Sequence, residues 1–218
     1  AKQWLETCIN GLPSRRLFVD AGAGNGKVTT WFTDDFTRTI ATEPNDSLRK
    51  ELEAACPRAE VLGDTIMQAG ISDPADFVLS SHVFYYIPGA EWAANLDKMA
   101  SWLAPQGTLV VIIQNHGTDC MKMLRHFLNK SFDLTSLADA FGKNFGAKYE
   151  TALETVPARI QTEKFEDACT IAEFMLNLLP LENPPLRADL EAYVRKHFAA
   201  DGGFRFSCNQ DFLRIRAK

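Results

Sequence analysis

The sequence predicts an α/β protein built on an open, mostly parallel sheet with helices on both faces. Three observations point there. Strand-length apolar runs alternate with helix-length amphipathic runs from Leu17 to Gln114. The run Thr108 to Gln114 is apolar almost throughout, as expected of a strand covered on both sides. The first strand leads directly into a glycine-rich turn, Gly22-Ala23-Gly24-Asn25-Gly26. The chain has 218 residues, 46% hydrophobic and 23% charged. A chain of that size buries about 70% of its unfolded surface, so disorder and low-complexity classes are excluded.

Each element follows from local pattern. Lys2 to Ile9 reads as helix, with Trp4, Leu5 and Cys8 on one face and Pro13 ending it. Its abrupt start creates the expectation of more helix ahead of Ala1. Leu17 to Val19 is a buried strand, and Lys27 to Phe36 restarts as helix after the turn. Arg38 to Thr42 is the second strand. Pro44 to Ala55 is helix, with capping chemistry from Asp46-Ser47. Glu60 to Leu62 is the third strand, and Asp76 to Ser80 the fourth. Trp92 to Leu103 is an amphipathic helix stopped by Pro105 and Gly107, and Thr108 to Gln114 the fifth strand. Met121 to Leu128 and Ser136 to Phe141 read as helices. Tyr149 to Ile160 alternates as a strand, with Pro157 marking an edge or bulge. Helices follow over Phe165 to Leu179 and Leu186 to Phe198, and Phe204 to Ile215 is a final strand. Asn183-Pro184-Pro185 and Asp201-Gly202-Gly203 read as turns. Trp31, Phe32 and Phe36 fall at core spacing, and His126 and His197 in surface patterns.

The net charge of −5 argues against a nucleic-acid partner. No apolar run approaches the roughly 20 residues of a membrane helix, and nothing at the start reads as a signal peptide. The cysteines, Cys8, Cys56, Cys120, Cys169 and Cys208, are scattered without CxxC spacing. That pattern indicates neither a disulfide framework nor a metal site, and the expectation is a cytoplasmic protein, a monomer or weak dimer, with a small-molecule substrate.

The sharpest signal is Phe18 to Gly26. A strand delivers Asp20, glycines let the backbone bend close to a ligand, and a following helix would present N–H groups. Glu43 ends the second strand, where a carboxylate can accept from both hydroxyls of a ribose. The glycines fall as GxGxG, not as the GxGxxG of dinucleotide binders.

This set resembles motif I of the class I S-adenosylmethionine-dependent methyltransferases. Glu43-Pro44 resembles the family's ribose-holding acid, and Gly63-Asp64-Thr65 the loop whose acid meets the adenine amino group. Asp76 to His82 resembles the fourth-strand motif, and Leu103 to Leu109 the turn before strand five. The resemblance implies a Rossmann-like seven-stranded, mostly parallel sheet with an antiparallel edge hairpin and a helical substrate-cover insertion before the last strand. It implies one domain over 1–218: a cofactor core (11–117), helices and edge strand (118–162), the cover insertion (163–203) and the final strand (204–218). It implies S-adenosylmethionine as cofactor, held by Asp20, Gly22, Ala23, Gly24, Gly26, Glu43, Pro44, Asp64, Thr65 and Ser81.

Ser81-His82-Val83-Phe84-Tyr85-Tyr86 follows strand four, at the ligand end of such a sheet. The stretch resembles that of histamine N-methyltransferase-like enzymes, with His82 where that group has an amide. By that resemblance His82, Tyr85, Tyr86 and Asn209 line a substrate pocket. His116, after strand five, joins them by position. His82 and Tyr86 are the catalytic candidates, since histidine titrates near neutrality and aromatic faces suit a sulfonium. The expected activity is methyl transfer to an amine or azole nitrogen. An O- or C-methyltransferase, or a non-catalytic cofactor-binding module, stays open, because a fold does not choose its nucleophile.

Overall fold

The computed structural model describes residues 1–177 and 184–218. Lys2–Asn10 forms α1, which buries Leu5 and Ile9. The apolar run after Pro13 becomes β1 (Leu17–Ala21), buried at all five positions. β2 (Arg38–Thr42) and β3 (Glu60–Leu62) lie parallel on one side of it, with Val19 opposite Ile40 and Ile40 opposite Glu60. β4 (Ala75–Ser81) and β5 (Leu103–Gln114) lie parallel on the other, with Val19 opposite Val78 and Leu79 opposite Val110. Buried Asp76 pins this arrangement, its Oδ2 accepting from the Arg16 and Leu17 N–H groups at 2.7 and 3.0 Å. Phe18, Phe36 and Phe77 pack beneath the sheet, with Phe18 5.4 and 5.7 Å from the other two ring centres.

α2 spans Asp46–Ala55 and α3 Trp92–Ala100. The cap of α2 is Asn45, not Asp46-Ser47: its Oδ1 accepts from the Ser47 and Leu48 N–H groups. α3 ends earlier than its apolar pattern suggests, because Leu103 pairs with Ala75 at the start of β5. α4 (Asp119–Leu128), α5 (Leu134–Phe145) and β6 (Tyr149–Val156) follow.

Two expected strands are each divided. Tyr149 to Ile160 breaks at Pro157-Ala158, and β7 (Arg159–Thr162) belongs to a different sheet. α6 (Phe165–Leu176) comes next; Leu178, Leu179 and Asn183, expected in a helix end and a turn, lie outside the described residues. α7 (Arg187–His197) and β8 (Ala199–Ala200) lead through the Asp201-Gly202 turn to β9 (Gly203–Ser207). Phe204 to Ile215 breaks at Cys208-Asn209, after which β10 (Gln210–Ala217) enters the main sheet. Both breaks fall inside runs of strand-forming residues, and the bonds that set them join residues distant in sequence.

The main sheet has seven strands in the order β3-β2-β1-β4-β5-β10-β6. The Asn115 N–H donates to Asn209 O and the Lys218 N–H to Lys148 O. These bonds join the end of β5 to the start of β10 and the end of β10 to the start of β6, so β10 runs against its neighbours. β7, β9 and β8 form a small antiparallel sheet.

Two compact units divide the chain. The first comprises 1–112, 135–154 and 212–218; the second comprises 113–134 and 155–211. These limits differ from the expected segments: 135–154 goes with the first unit, and 155–162 with the helices that follow it. Among the described residues no helix is long and apolar enough to cross a membrane, and no cluster of metal-ligating side chains occurs.

Candidate active site

The chain from Lys27 to Phe36 departs most from expectation. It forms two single 3₁₀ turns, Thr29–Trp31 and Thr33–Asp35, rather than an α-helix. Val28, Thr29, Thr30 and Thr33 are β-branched, and two of the threonines turn on the backbone: Thr30 Oγ1 donates to Lys27 O and Thr33 Oγ1 to Thr29 O. No helix N-terminus therefore faces a ligand here.

The glycine turn is held by side chains and by β2 instead. The Gly22 and Ala23 N–H groups both donate to Thr42 O, at 3.0 and 2.9 Å. The Gly24 N–H donates to Glu43 Oε2 at 2.9 Å, and the Asn45 N–H to Glu43 Oε1 at 2.8 Å. Each Glu43 oxygen thus spends one acceptor position on backbone. An ionised carboxylate has about four such positions, which leaves one on each oxygen for a diol.

The turn glycines have different jobs. All three carry positive φ: 83° at Gly22, 57° at Gly24 and 82° at Gly26. A Cβ on Gly22 would stand 2.5 Å from Val83 Cγ2, and one on Gly26 2.9 Å from Leu52 Cδ1. A Cβ on Gly24 would meet nothing within 4 Å. Gly22 and Gly26 serve packing, whereas Gly24 leaves a hollow.

Asp20 sits behind this turn and does not line the cavity described below. It is 2% exposed, and its Oδ2 accepts the Thr29 hydroxyl at 2.7 Å. Burial pushes its carboxyl up to about 7, with the Thr29 bond opposing and the Glu43 charge reinforcing the shift. Through Thr29 it buttresses the turn.

At the end of β4 the chain makes a second sharp departure. His82 has φ 61°, in the left-handed region, while its N–H donates to Ile112 O at 2.8 Å. Its Nδ1 lies 3.2 Å from Tyr85 Oη, and the two rings stack at 5.8 Å. Burial holds the His82 imidazole below its usual range, favouring the neutral ring. Tyr85, expected in the substrate pocket, is itself buried and positions His82. Tyr86 is 63% exposed.

These elements enclose a cavity of about 490 Å³ within the first unit, inside the range of about 300–1,000 Å³ common for small-ligand sites. Gly22, Ala23, Gly24, Glu43 and Pro44 line one side, and Ser81, His82 and Tyr86 the other. Gly26, Asp64 and Thr65 do not line it. Thr65 is turned into its own loop, its N–H and hydroxyl both donating to Gln68 Oε1. His116 and Asn209 belong to the second unit. The His116 Nδ1 lies 3.5 Å from Asp133 Oδ1, and Asn209 Oδ1 accepts the Ala158 N–H. Sequence reasoning missed Asn25, Lys27, Val28, Asn45, Leu48 and Val83, which also line the cavity. Asn45 carried a signal, since an Asn preceding Asp-Ser is a strong cap candidate.

Fold and site together define an α/β domain with a mostly parallel sheet, a glycine turn at the carboxyl end of its first strand and a carboxylate just after the second that lines the same cavity. Residues 2–152 match the model of a methyltransferase domain family, and the chain belongs to that family. No curated protein matches it significantly in sequence. Among solved structures, the YcgJ protein of Bacillus subtilis superposes with a TM-score of 0.70 at 13% identity, covering 100% of this chain and 99% of that one. A SAM-dependent methyltransferase from Geobacter sulfurreducens, in complex with S-adenosyl-L-homocysteine, gives 0.59 at 12%, covering 100% and 90%. The N-methyltransferase NodS of Bradyrhizobium japonicum WM9, in complex with the same product, gives 0.58 at 13%, covering 99% and 86%. At these identities the likeness is one of fold.

Proposed function

We propose that this chain transfers a methyl group from S-adenosylmethionine to a nitrogen of a small amine or azole, with His82 as proton acceptor. Family membership and the cavity support the cofactor. Glu43 would hold the ribose hydroxyls on the acceptor positions its backbone partners leave open, and the hollow over Gly24 admits close approach. Pro44 and Leu48 offer apolar surface for a base. The cofactor supplies an electrophilic methyl on sulfur, and the protein's task is to orient the acceptor and exclude water.

The observation that carries the reading is His82, held by its backbone and by Tyr85 on the cavity wall. In the tautomer whose Nδ1–H donates to Tyr85 Oη, Nε2 is the basic nitrogen. A ring kept neutral by burial can accept a proton from an ammonium or azole N–H, directly or through water, so that the acceptor lone pair is available. Tyr86 at the rim offers an aromatic face to a cationic group. The likeness of the 81–86 stretch to histamine N-methyltransferase-like enzymes supports nitrogen over oxygen. The five unpaired thiols fit a reducing cytoplasm.

Labelled cofactor incubated with a panel of amines, azoles and phenols tests this, with products assigned by mass and NMR. Label on an amine or azole nitrogen is expected. Label on phenols alone would move the reading to oxygen, and no transfer together with no heat of cofactor binding would overturn it.

A further inference from the structure

The second unit holds a cavity of about 630 Å³ that the methyl-transfer reading leaves unused. Antiparallel pairing of β7 with β9 sets Arg159 opposite Ser207 and Gln161 opposite Arg205. Side chains alternate along a strand, so Arg159 and Arg205 stand on one face as diagonal neighbours, about 7–8 Å apart at the backbone. Both are exposed and both line the cavity. Neither has an ion-pair partner among the described residues. Two guanidiniums placed together and not engaged in an ion pair favour an anion between them.

Among the other polar groups of this cavity, His197 packs on Tyr193 with ring centres 4.2 Å apart. Asp119 is its carboxylate, and Asp119 Oδ2 accepts the Ser207 N–H at 2.8 Å while the Asp119 N–H donates to Ser207 Oγ at 2.9 Å. Asn209 Oδ1 accepts the Ala158 N–H at 3.1 Å, so its amide has its NH₂ donors left to offer. Pro157 and Phe198 supply an apolar wall.

We propose that this cavity binds a small organic carboxylate, its two oxygens held by the Arg159 and Arg205 guanidiniums and its apolar body lying against Pro157 and Phe198. Planar donor forks match a planar two-oxygen acceptor. A phosphate, with a third oxygen to satisfy, draws on backbone N–H groups as well. The Ala158 and Ser207 N–H groups beside the arginines are already bonded to side chains, which favours the carboxylate.

Titration calorimetry and NMR on the full chain test this with benzoate, its uncharged isostere benzamide, and inorganic phosphate. Benzoate is expected to bind, benzamide not, and phosphate more weakly than benzoate. Arg159→Gln and Arg205→Gln should each weaken benzoate by about tenfold, the loss of one charge-assisted bond. Arg159→Lys, which keeps the charge and loses the fork, should fall between and keeps the test sound if a Gln variant fails to fold. Equal binding of benzamide, tighter binding of phosphate, unchanged affinity in the variants or no benzoate binding would each overturn the proposal. The readout is binding, so its failure leaves the methyl-transfer reading untouched.

Discussion

His82 pays for its place in backbone strain. A non-glycine residue at positive φ costs on the order of 1–3 kcal/mol, and here the strain turns the chain so that the imidazole meets Tyr85. His82→Gly should therefore be more stable than His82→Ala by about 1 kcal/mol in urea unfolding, because glycine adopts this conformation without penalty. Both variants should lose roughly 10²–10⁴-fold in transfer rate; a variant retaining full activity would remove His82 from the chemistry. Asp20 gives a second test. Its carboxyl, raised from 3.8 to about 7, binds its proton more tightly folded than unfolded, so its contribution to stability is full below about pH 4 and is lost as pH rises towards 7. His82, lowered from 6.5, contributes with the opposite sign and loses stability as pH falls below 6.5. Asp20→Asn should raise the melting temperature relative to wild type near pH 7.5 and lose that advantage near pH 4.5. A difference independent of pH would mean that the Asp20 carboxyl is not perturbed in this way.

At the scale of elements, Gly22 and Gly24 separate packing from ligand space. Gly22→Ala adds strain at φ 83° and sets a methyl against Val83, so it should cost about 2–4 kcal/mol of stability by thermal unfolding. Gly24→Ala meets no atom, so its stability cost should be about 1–2 kcal/mol, the strain alone. Its methyl, however, points into the hollow, and cofactor affinity measured by calorimetry should drop more than stability does; unchanged affinity would place the nucleoside elsewhere. The same elements show what the sequence made legible. β1 to β4 were readable because each is a short stretch with β-branched or apolar residues at its centre, and Glu43 was readable because its spacing from the turn is fixed by chain geometry. The 27–36 segment was misread because its apolar spacing suits a helix while its threonines bond the backbone, a competition that periodicity does not register. Tyr85, placed in the pocket from the run 81–86, lies behind His82 because the left-handed turn at His82 rotates the residues after it, and nothing local to Tyr85 encodes that. The division of 149–160 and 204–215 was hidden for a different reason. Both breaks rest on long-range bonds, from Ala158 to Asn209 and from Asn115 to Asn209.

For the whole molecule, ligand binding and folding are one equilibrium. A ligand that binds the folded chain alone stabilises it by RT ln(1 + [L]/Kd), about 2.7 kcal/mol at a hundred times Kd. For a chain of this size each kcal/mol moves the melting temperature by about 2–4 °C. Saturating S-adenosylhomocysteine should thus raise it by roughly 5–10 °C. Glu43→Ala should remove most of that rise, because the carboxylate that fixes Gly24 and Asn45 and would hold the ribose is gone. Arg159→Gln, on the face of the small sheet in the second unit, should keep the full rise. Melting alone does not say where the ligand sits, and amide hydrogen exchange does. Ala23, Gly24 and Asn45 already donate their N–H groups within the first unit, and a bound nucleoside would suppress the local openings that let these bonds exchange. Protection that grows at these amides, and not in wild-type chain given adenosine-free homocysteine, would tie the stabilisation to the glycine turn and Glu43. Stabilisation without added protection there would move the nucleoside away from this cavity, whatever the melting curve shows.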